Sequence, residues 1–597
     1  MLERPAARFV FVVGKGGVGK STTAAGLALA WAEAGRTVHL LSTDPAHSLG
    51  DVLGRALEPG RVESRCSDRL TVEELDAESR ARVWLDALQA PLTALLEQGS
   101  YLDGEDVARF ASLRLPGVDE VMAALRLLEL AAAPADTIVV DTAPTGHTLR
   151  LFDAPAVLES WTELLDALAR KAQVVASALT GRDRPGPGAE LRARLHAQLE
   201  QFDRRVLRSA TCVLVTRSGA PVAAESERLA RALAERGLAV QATVHVGAGG
   251  AQAAVVAPWL DPAPHGCAGL RGWHGALLES DAAAAPSRTR QTAAPGACPT
   301  AETGTPDGAA VTWLRARPQR LLLFAGKGGV GKSTCAAAAA FALADRGPVL
   351  LLSADPAGSL GDILERAVGA QPTPIARGLR AVQIDAAAAL AAWRGDFRAQ
   401  GDALLARVGL GGDPALDRRV LEAVWNVAPP GMDELVALAE LMAAVAAAEE
   451  TVVLDAAPTG HLLRLLALPA TAHEWTHAAM RTLLKYGVGG ELDALAARLL
   501  AFARHLKQFR STLADAGRTG AIVVTIEQPV VRAETDRLLA ALARAGVPLA
   551  ATLTNQSSTR RDSTQRSAIP HLRAPIWPEP PRGAVALRGF VSRWELE

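Results

Sequence analysis

Gly14, Gly19, Lys20 and Ser21 stand in the spacing G-x-x-x-x-G-K-S, and Gly326, Gly331, Lys332 and Ser333 repeat it. Residues of these types in this order let backbone N–H groups curl around phosphate oxygens, because glycine puts no Cβ between main chain and anion. A helix opening at the lysine adds its partial positive charge at the same point. Lys20 and Lys332 are expected to reach the β- and γ-phosphates, and Ser21 and Ser333 to hold Mg²⁺. Gly16, Gly17, Val18 and Thr22 complete the first nucleotide-binding set; Gly328, Gly329, Val330 and Thr334 complete the second.

Carboxylates recur with the same duplication. Asp44 and Asp355 sit in S-[TA]-D-P-A, directly after an apolar run. An acid at the C-terminal end of a parallel strand lies in the crevice where ligands bind. There it is able to orient or deprotonate an attacking water; a helix N-cap is the alternative. Asp141 and Asp455 end apolar strands, the placement of a carboxylate that holds the Mg²⁺ shell through water. His147 and His461 follow in A-P-T-G-H. One histidine per copy has no partner ligands, which favours a structural or switch role over a metal.

The elements that position these groups follow from self-similarity. STDPAHSLGDVL at 42–53 returns as SADPAGSLGDIL at 353–364, PGVDE at 116–120 as PGMDE at 430–434, and VVDTAPTGHTLRLF at 139–152 as VLDAAPTGHLLRLL at 453–466. LRGW at 270–273 is echoed by LRGF at 587–590. The order is kept and the separation is nearly constant, so the chain is two copies of one domain, 1–280 and 319–597. Residues 281–318, rich in Ala, Pro, Thr and Gly, read as a flexible linker. Within each copy short apolar runs such as FVFVV and LLLFA alternate with helical stretches. That pattern predicts an α/β fold, a doubly wound and mostly parallel sheet. Leu/Ala-rich segments 80–133 and 385–448 form a helical insertion.

Composition narrows the function classes. Lys plus Arg is 63 against 64 Asp plus Glu, a net charge of −1, which argues against a chain whose main task is gripping nucleic acid or an acidic membrane face. Aromatics make up 4% of a chain that is 49% hydrophobic, so Ala, Leu and Val must build the core. No apolar run is long enough to cross a bilayer, and the N-terminus does not read as a signal peptide. Five cysteines with no C-x-x-C argue against a disulfide framework and place the chain in a reducing, cytoplasmic setting.

The GKGGVGK form, with Lys15 and Lys327 directly after the first glycine, resembles the deviant P-loop of the ArsA/Get group of ATPases. In that group this lysine crosses a two-fold interface to the nucleotide of the other subunit. The resemblance implies an intramolecular pseudodimer with two ATP sites facing each other, and catalytic roles for Lys15, Lys327, Asp44 and Asp355. It assigns S-[TA]-D-P-A to switch I, with Asp51 and Asp362 supporting it or serving structure alone, and A-P-T-G-H to switch II. Asn555 matches the asparagine that reads adenine in the group. The first copy has VHVGAGG at 244–250 instead, which implies unequal sites.

Two branches of the group suggest different outputs: energising a membrane pump subunit for arsenical or other anions, or delivering a hydrophobic protein client. The tandem layout is that of the first. Yet soft trivalent arsenic needs converging thiolates, and neither insertion contains a cysteine. The insertions are apolar enough to line a client groove, though ordinary buried helix is the favoured reading. A nucleotide-dependent scaffold with low turnover is the remaining alternative; the intact lysine and aspartate sets favour hydrolysis.

Overall fold

The computed structural model describes residues 7–44, 49–99, 118–143, 145–180, 189–217, 220–247, 255–257, 264–276, 278–279, 308–327, 329–354, 360–386, 388–392, 395, 432–456, 492–557, 569–577 and 579–597. The first half runs β1 (Phe9–Gly14), α1 (Lys20–Glu33), β2 (Val38–Ser42), α2 (Leu49–Leu53), β3 (Glu63–Arg65), β4 (Ser67–Glu74), α3 (Ala77–Gly99) and α4 (Val118–Leu130). It continues through β5 (Thr137–Asp141), α5 (Thr145–Thr180), α6 (Ala189–Arg205), β6 (Ala210–Arg217), α7 (Ala220–Glu235), β7 (Val240–Val246), β8 (Val255–Ala257), α8 (Gly266–Gly275) and β9 (Leu278–Glu279).

Among the described residues these strands form one sheet in the order β3-β4-β2-β5-β1-β6-β7-β8-β9. Its interior pairings are parallel, and its two edges, β3 and β9, are antiparallel. β1 shows why its run had no alternation. Phe9, Phe11 and Val13 enter one core with Leu127 and Phe152, while Val10 and Val12 enter a second with α1. Both faces are covered, so both phases must be apolar. The LRGW echo has a packing cause, because Trp273 of α8 lies directly on the α1 backbone at Gly26.

The second half repeats the plan: α9 (Ala309–Arg315), β10 (Leu321–Ala325), α10 (Lys332–Ala344), β11 (Val349–Ser353), α11 (Leu360–Leu364), β12 (Thr373–Ala376), β13 (Leu379–Gln383), α12 (Met432–Ala447) and β14 (Thr451–Asp455). Then come α13 (Leu492–Ala514), β15 (Thr519–Thr525), α14 (Pro529–Arg544), β16 (Leu549–Ser557), β17 (His571–Pro575), α15 (Gly583–Val591) and β18 (Glu595–Leu596). The strand order, β12-β13-β11-β14-β10-β15-β16-β17-β18, matches the first half position by position.

Two expectations change. Residues read as the end of the linker contain α9, whose Ala310, Val311 and Leu314 are buried beside Phe341 and Trp594. The Pro/Gly-rich composition hid a one-sided apolar helix; residues 280–307 lie outside the described set. The cysteines are also not all independent. Cys66, in the β3–β4 turn, is disulfide-bonded to Cys267 at the start of α8, 201 residues away. Spacing along the chain carries no sign of a pair that only the fold brings together. No helix among the described residues is long and apolar enough to cross a membrane.

Candidate functional site

Each cradle is built where a central strand meets a helix. β1 leads through Gly14, Lys15, Gly16, Gly17 and Val18 to Gly19, which caps α1 in the left-handed region at φ 97°. β10 leads to Gly331, which caps α10 at φ 88°. Only glycine enters this region cheaply, so the turn can aim its N–H groups inward. Val18 and Val330 are buried and pin the loops to the cores. Lys20 Nζ donates to the Lys15 carbonyl at 3.2 Å, and Lys332 Nζ to the Lys327 carbonyl at 3.3 Å. Both lysines therefore fold back over the loop that is to hold phosphate. Ser21 and Thr22, and Ser333 and Thr334, occupy the first turns behind them.

The strand-end aspartates lie beneath. Asp141 is fully buried and accepts from Ser42 Oγ at 3.4 Å; Asp455 accepts from Ser353 Oγ at 3.3 Å. Burial first, and then the charge of Asp44, push the Asp141 carboxyl up to about 7, against the pull of Lys20 and of hydrogen bonds from Ser21 and Ser42. Asp141 Oδ1 is buried with no hydrogen-bond partner among the described residues. An oxygen-only set of Ser21 and Asp141, with one orphaned carboxylate oxygen, fits a hard cation such as Mg²⁺. Lys20 is shifted down, chiefly by burial; Asp44, Asp141 and Glu225 oppose the shift, and Lys327 of the other half adds to it. The fold thus brings Lys20, Ser21, Asp44 and Asp141 together. Asp355, Gly328 and His461 lie outside the described residues, as does the side chain of His147.

The two phosphate loops abut. A methyl group on Gly329 would stand 2.9 Å from the Gly16 carbonyl oxygen and 3.0 Å from the Gly17 Cα, so the contact leaves no room for a side chain at Gly329. Lys15 Nζ pairs with Glu225 of α7 at 2.7 Å, and Lys327 Nζ with Glu534 of α14 at the same distance. One turn further along, Arg537 of α14 crosses to Asp51 of α2 at 2.6 Å, while Arg228 of α7 points toward Asp362 of α11 at 3.9 Å. Asp51 and Asp362 are thus contacts between halves. The helix residues were missed, although A-E-[ST]-[ED]-R-L at 224–229 recurs at 533–538 and was a further repeat to find.

Asn555 is buried on β16. Its Nδ2 donates to the Val330 carbonyl at 2.8 Å, and its Oδ1 accepts the Gln556 N–H at 2.9 Å. Its amide braces the second phosphate loop. The strand pairings Val213↔Ala242 and Ile522↔Ala551 put Val246 at the same place in the first half, where it touches Gly19 without a hydrogen bond to offer. The described cysteines offer no converging free thiols. Cys66 and Cys267 bond to each other, and burial pushes the Cys212 thiol up to about 12 and raises that of Cys335 as well. No cluster of three metal-ligating side chains occurs among the described residues.

The family profile described as anion-transporting ATPase matches residues 7–246 and 319–569. ATPase ARSA1 of Chlamydomonas reinhardtii is 28% identical over 96% of this chain and 83% of its own length. A putative arsenical pump-driving ATPase of Halobacterium salinarum is 29% identical over 77% of this chain and 74% of its own. ATPase GET3 of Podospora anserina is 30% identical over 36% of this chain and 66% of its own length.

Proposed function

The chain belongs to the anion-transporting ATPase family, and from that premise we propose an Mg²⁺-dependent ATP hydrolase in which each half completes the other's site. One observation carries the reading: the two glycine loops touch at Gly329 and Gly16–Gly17, and the charge of Lys327 is felt at Lys20. A triphosphate in the first cradle would meet Lys20 from its own half and Lys327 from the other, and the second cradle would meet Lys332 and Lys15. Cations converging on charge that develops during phosphoryl transfer stabilise the transition state.

In this reading Asp44 and Asp355 orient the attacking water. Ser21 with Asp141, and Ser333 with Asp455, would hold Mg²⁺, the aspartates through water, and the ion would supply neutralisation of the phosphate charge. Neutralising the lysines draws the halves together. The helices that follow each switch segment, α2 and α11, transmit the change across the Asp51–Arg537 and Asp362–Arg228 contacts. We assign the output to a membrane transport partner driven from the water side. The tandem relative named as pump-driving supports that choice over delivery of a hydrophobic client. The described cysteines give no support for arsenite as activator.

The test is phosphate release with and without Mg²⁺, in wild type and in Asp44→Asn/Asp355→Asn. We expect Mg²⁺-dependent release that falls by about 10²-fold or more in the double variant, the usual range for a positioned acid–base group. No release from wild type would replace the hydrolase with a nucleotide-dependent scaffold.

A further inference from the structure

Lys327 has two places to go. In this structure it pairs with Glu534, a carboxylate whose side chain is only 6% exposed, while Lys327 itself is 19% exposed. Lys15 and Glu225 repeat the arrangement at 20% and 5%. A carboxylate this deep needs a counter-charge, and each glutamate is seated firmly. Thr535, the next residue, bonds to Thr525 of β15 at 3.0 Å, as Ser226 bonds to Thr216 of β6. The glutamates are therefore fixed and the lysines, on long flexible stems, are the partners able to leave. At the same time Lys327 lies beside the first cradle, because Gly329, two residues on, packs against Gly16 and Gly17 of that loop. The lysine stands between a carboxylate of its own half and the phosphate site of the other.

We propose that Glu534 and Glu225 are positioning residues that hold Lys327 and Lys15 on their own halves until a triphosphate in the opposite cradle takes them. This rests on the reading that these lysines act across the interface. The triphosphate carries more negative charge than one carboxylate, so it wins the lysine when it binds, and the ion pair lost is a cost set against binding. Nucleotide affinity in each cradle is thereby set partly by a glutamate of the other half.

The test uses full-length chain with Lys332→Ala as parent, so that the first cradle alone binds a non-hydrolysable ATP analogue with Mg²⁺. Adding Glu534→Gln should tighten binding about fivefold. Glu534→Asp, which keeps the pair, should stay within about twofold of the parent. Adding Lys327→Ala should abolish the effect of Glu534→Gln. Unchanged or weaker binding by Glu534→Gln overturns the proposal. So does equal tightening in the Lys327→Ala background, which would reflect only removal of a negative charge near the nucleotide. Phosphate release separates the two levels. If Lys332→Ala/Lys327→Ala hydrolyses ATP as fast as Lys332→Ala, the cross-interface reading itself fails. If it does not, a flat response to Glu534→Gln removes the holding role alone.

Discussion

The first and second halves share strand order, phosphate loop and cross-half ion pairs, and differ in what braces them. In the second half Asn555 ties its amide to the Val330 carbonyl; in the first, Val246 fills that place. In the first half a buried polar chain runs from Thr71 through His39 and Glu73 to Arg126, with contacts of 2.9, 3.2 and 2.8 Å. The strand pairings put Leu350 and Val382 at the positions of His39 and Glu73 in the second half. The clamp between halves is also lopsided, 2.6 Å at Arg537–Asp51 against 3.9 Å at Arg228–Asp362. Duplication has kept every group that would touch phosphate and let the scaffolding diverge. Chemistry constrains the cradle, while a sheet interior can be filled in more than one way.

The largest expected effect probes the buried polar chain. Glu73→Val removes the buried carboxylate that Arg126 and His39 share, leaving Arg126 only the half-exposed Glu129 and His39 only Thr71, and should cost about 3 kcal/mol in unfolding free energy, the range for breaking a buried pair. His39→Leu/Glu73→Val/Arg126→Met, closer to the second half's solution, should recover most of it. Hydrogen bonds from His39 and Arg126, with the Arg126 charge, outweigh burial and hold the Glu73 carboxyl below its ordinary range. Its contribution is therefore complete above the ordinary glutamate range and is lost as pH falls through the lowered folded value. Denaturant melts at pH 7 and pH 3.5 would show the gap between wild type and the single variant shrinking at the lower pH.

Next in size is the brace. Asn555→Val leaves the buried Val330 carbonyl without its donor, at about 1–2 kcal/mol, and should weaken nucleotide binding at the second site roughly tenfold while sparing the first. Val246→Asn should move the first site the other way. Site-resolved titration in Lys20→Ala and Lys332→Ala backgrounds measures both, and equal affinities throughout would erase the asymmetry. The smallest effect is at the clamp. Exposed pairs are worth about 0.5 kcal/mol, so Arg537→Ala should reduce coupling between sites about twofold and Arg228→Ala less, read from the cooperativity of ATP titration.

Much of this was legible in advance because it repeats. Glycine loops, strand-end aspartates and the apolar runs of β1 and β10 carry their meaning in type and spacing, and a duplicated motif confirms itself. The edge strands β3 and β12, the helix α9 and the Cys66–Cys267 bond were not legible. β3 and β12 are too short to show a period and pair only with the neighbouring β4 and β13, whereas α9 and the Cys66–Cys267 bond depend on partners far along the chain. Glu534 and Arg537 fall between: their repeat was visible, but a charged helix face reads as solvated until the fold turns it toward the other half. Asn555 was visible as a residue of the site, yet its hold on the Val330 carbonyl needed the geometry.

The claim that each half completes the other's site is tested most directly by phosphate release from two double variants, both with the second cradle silenced by Lys332→Ala. With Lys15→Ala added, the first cradle still has Lys327 and should keep most of the single variant's turnover. With Lys327→Ala added instead, turnover should fall by about 10²-fold. The reverse pattern, loss with Lys15→Ala and retention with Lys327→Ala, would mean that each half works with its own lysine and would contradict the account.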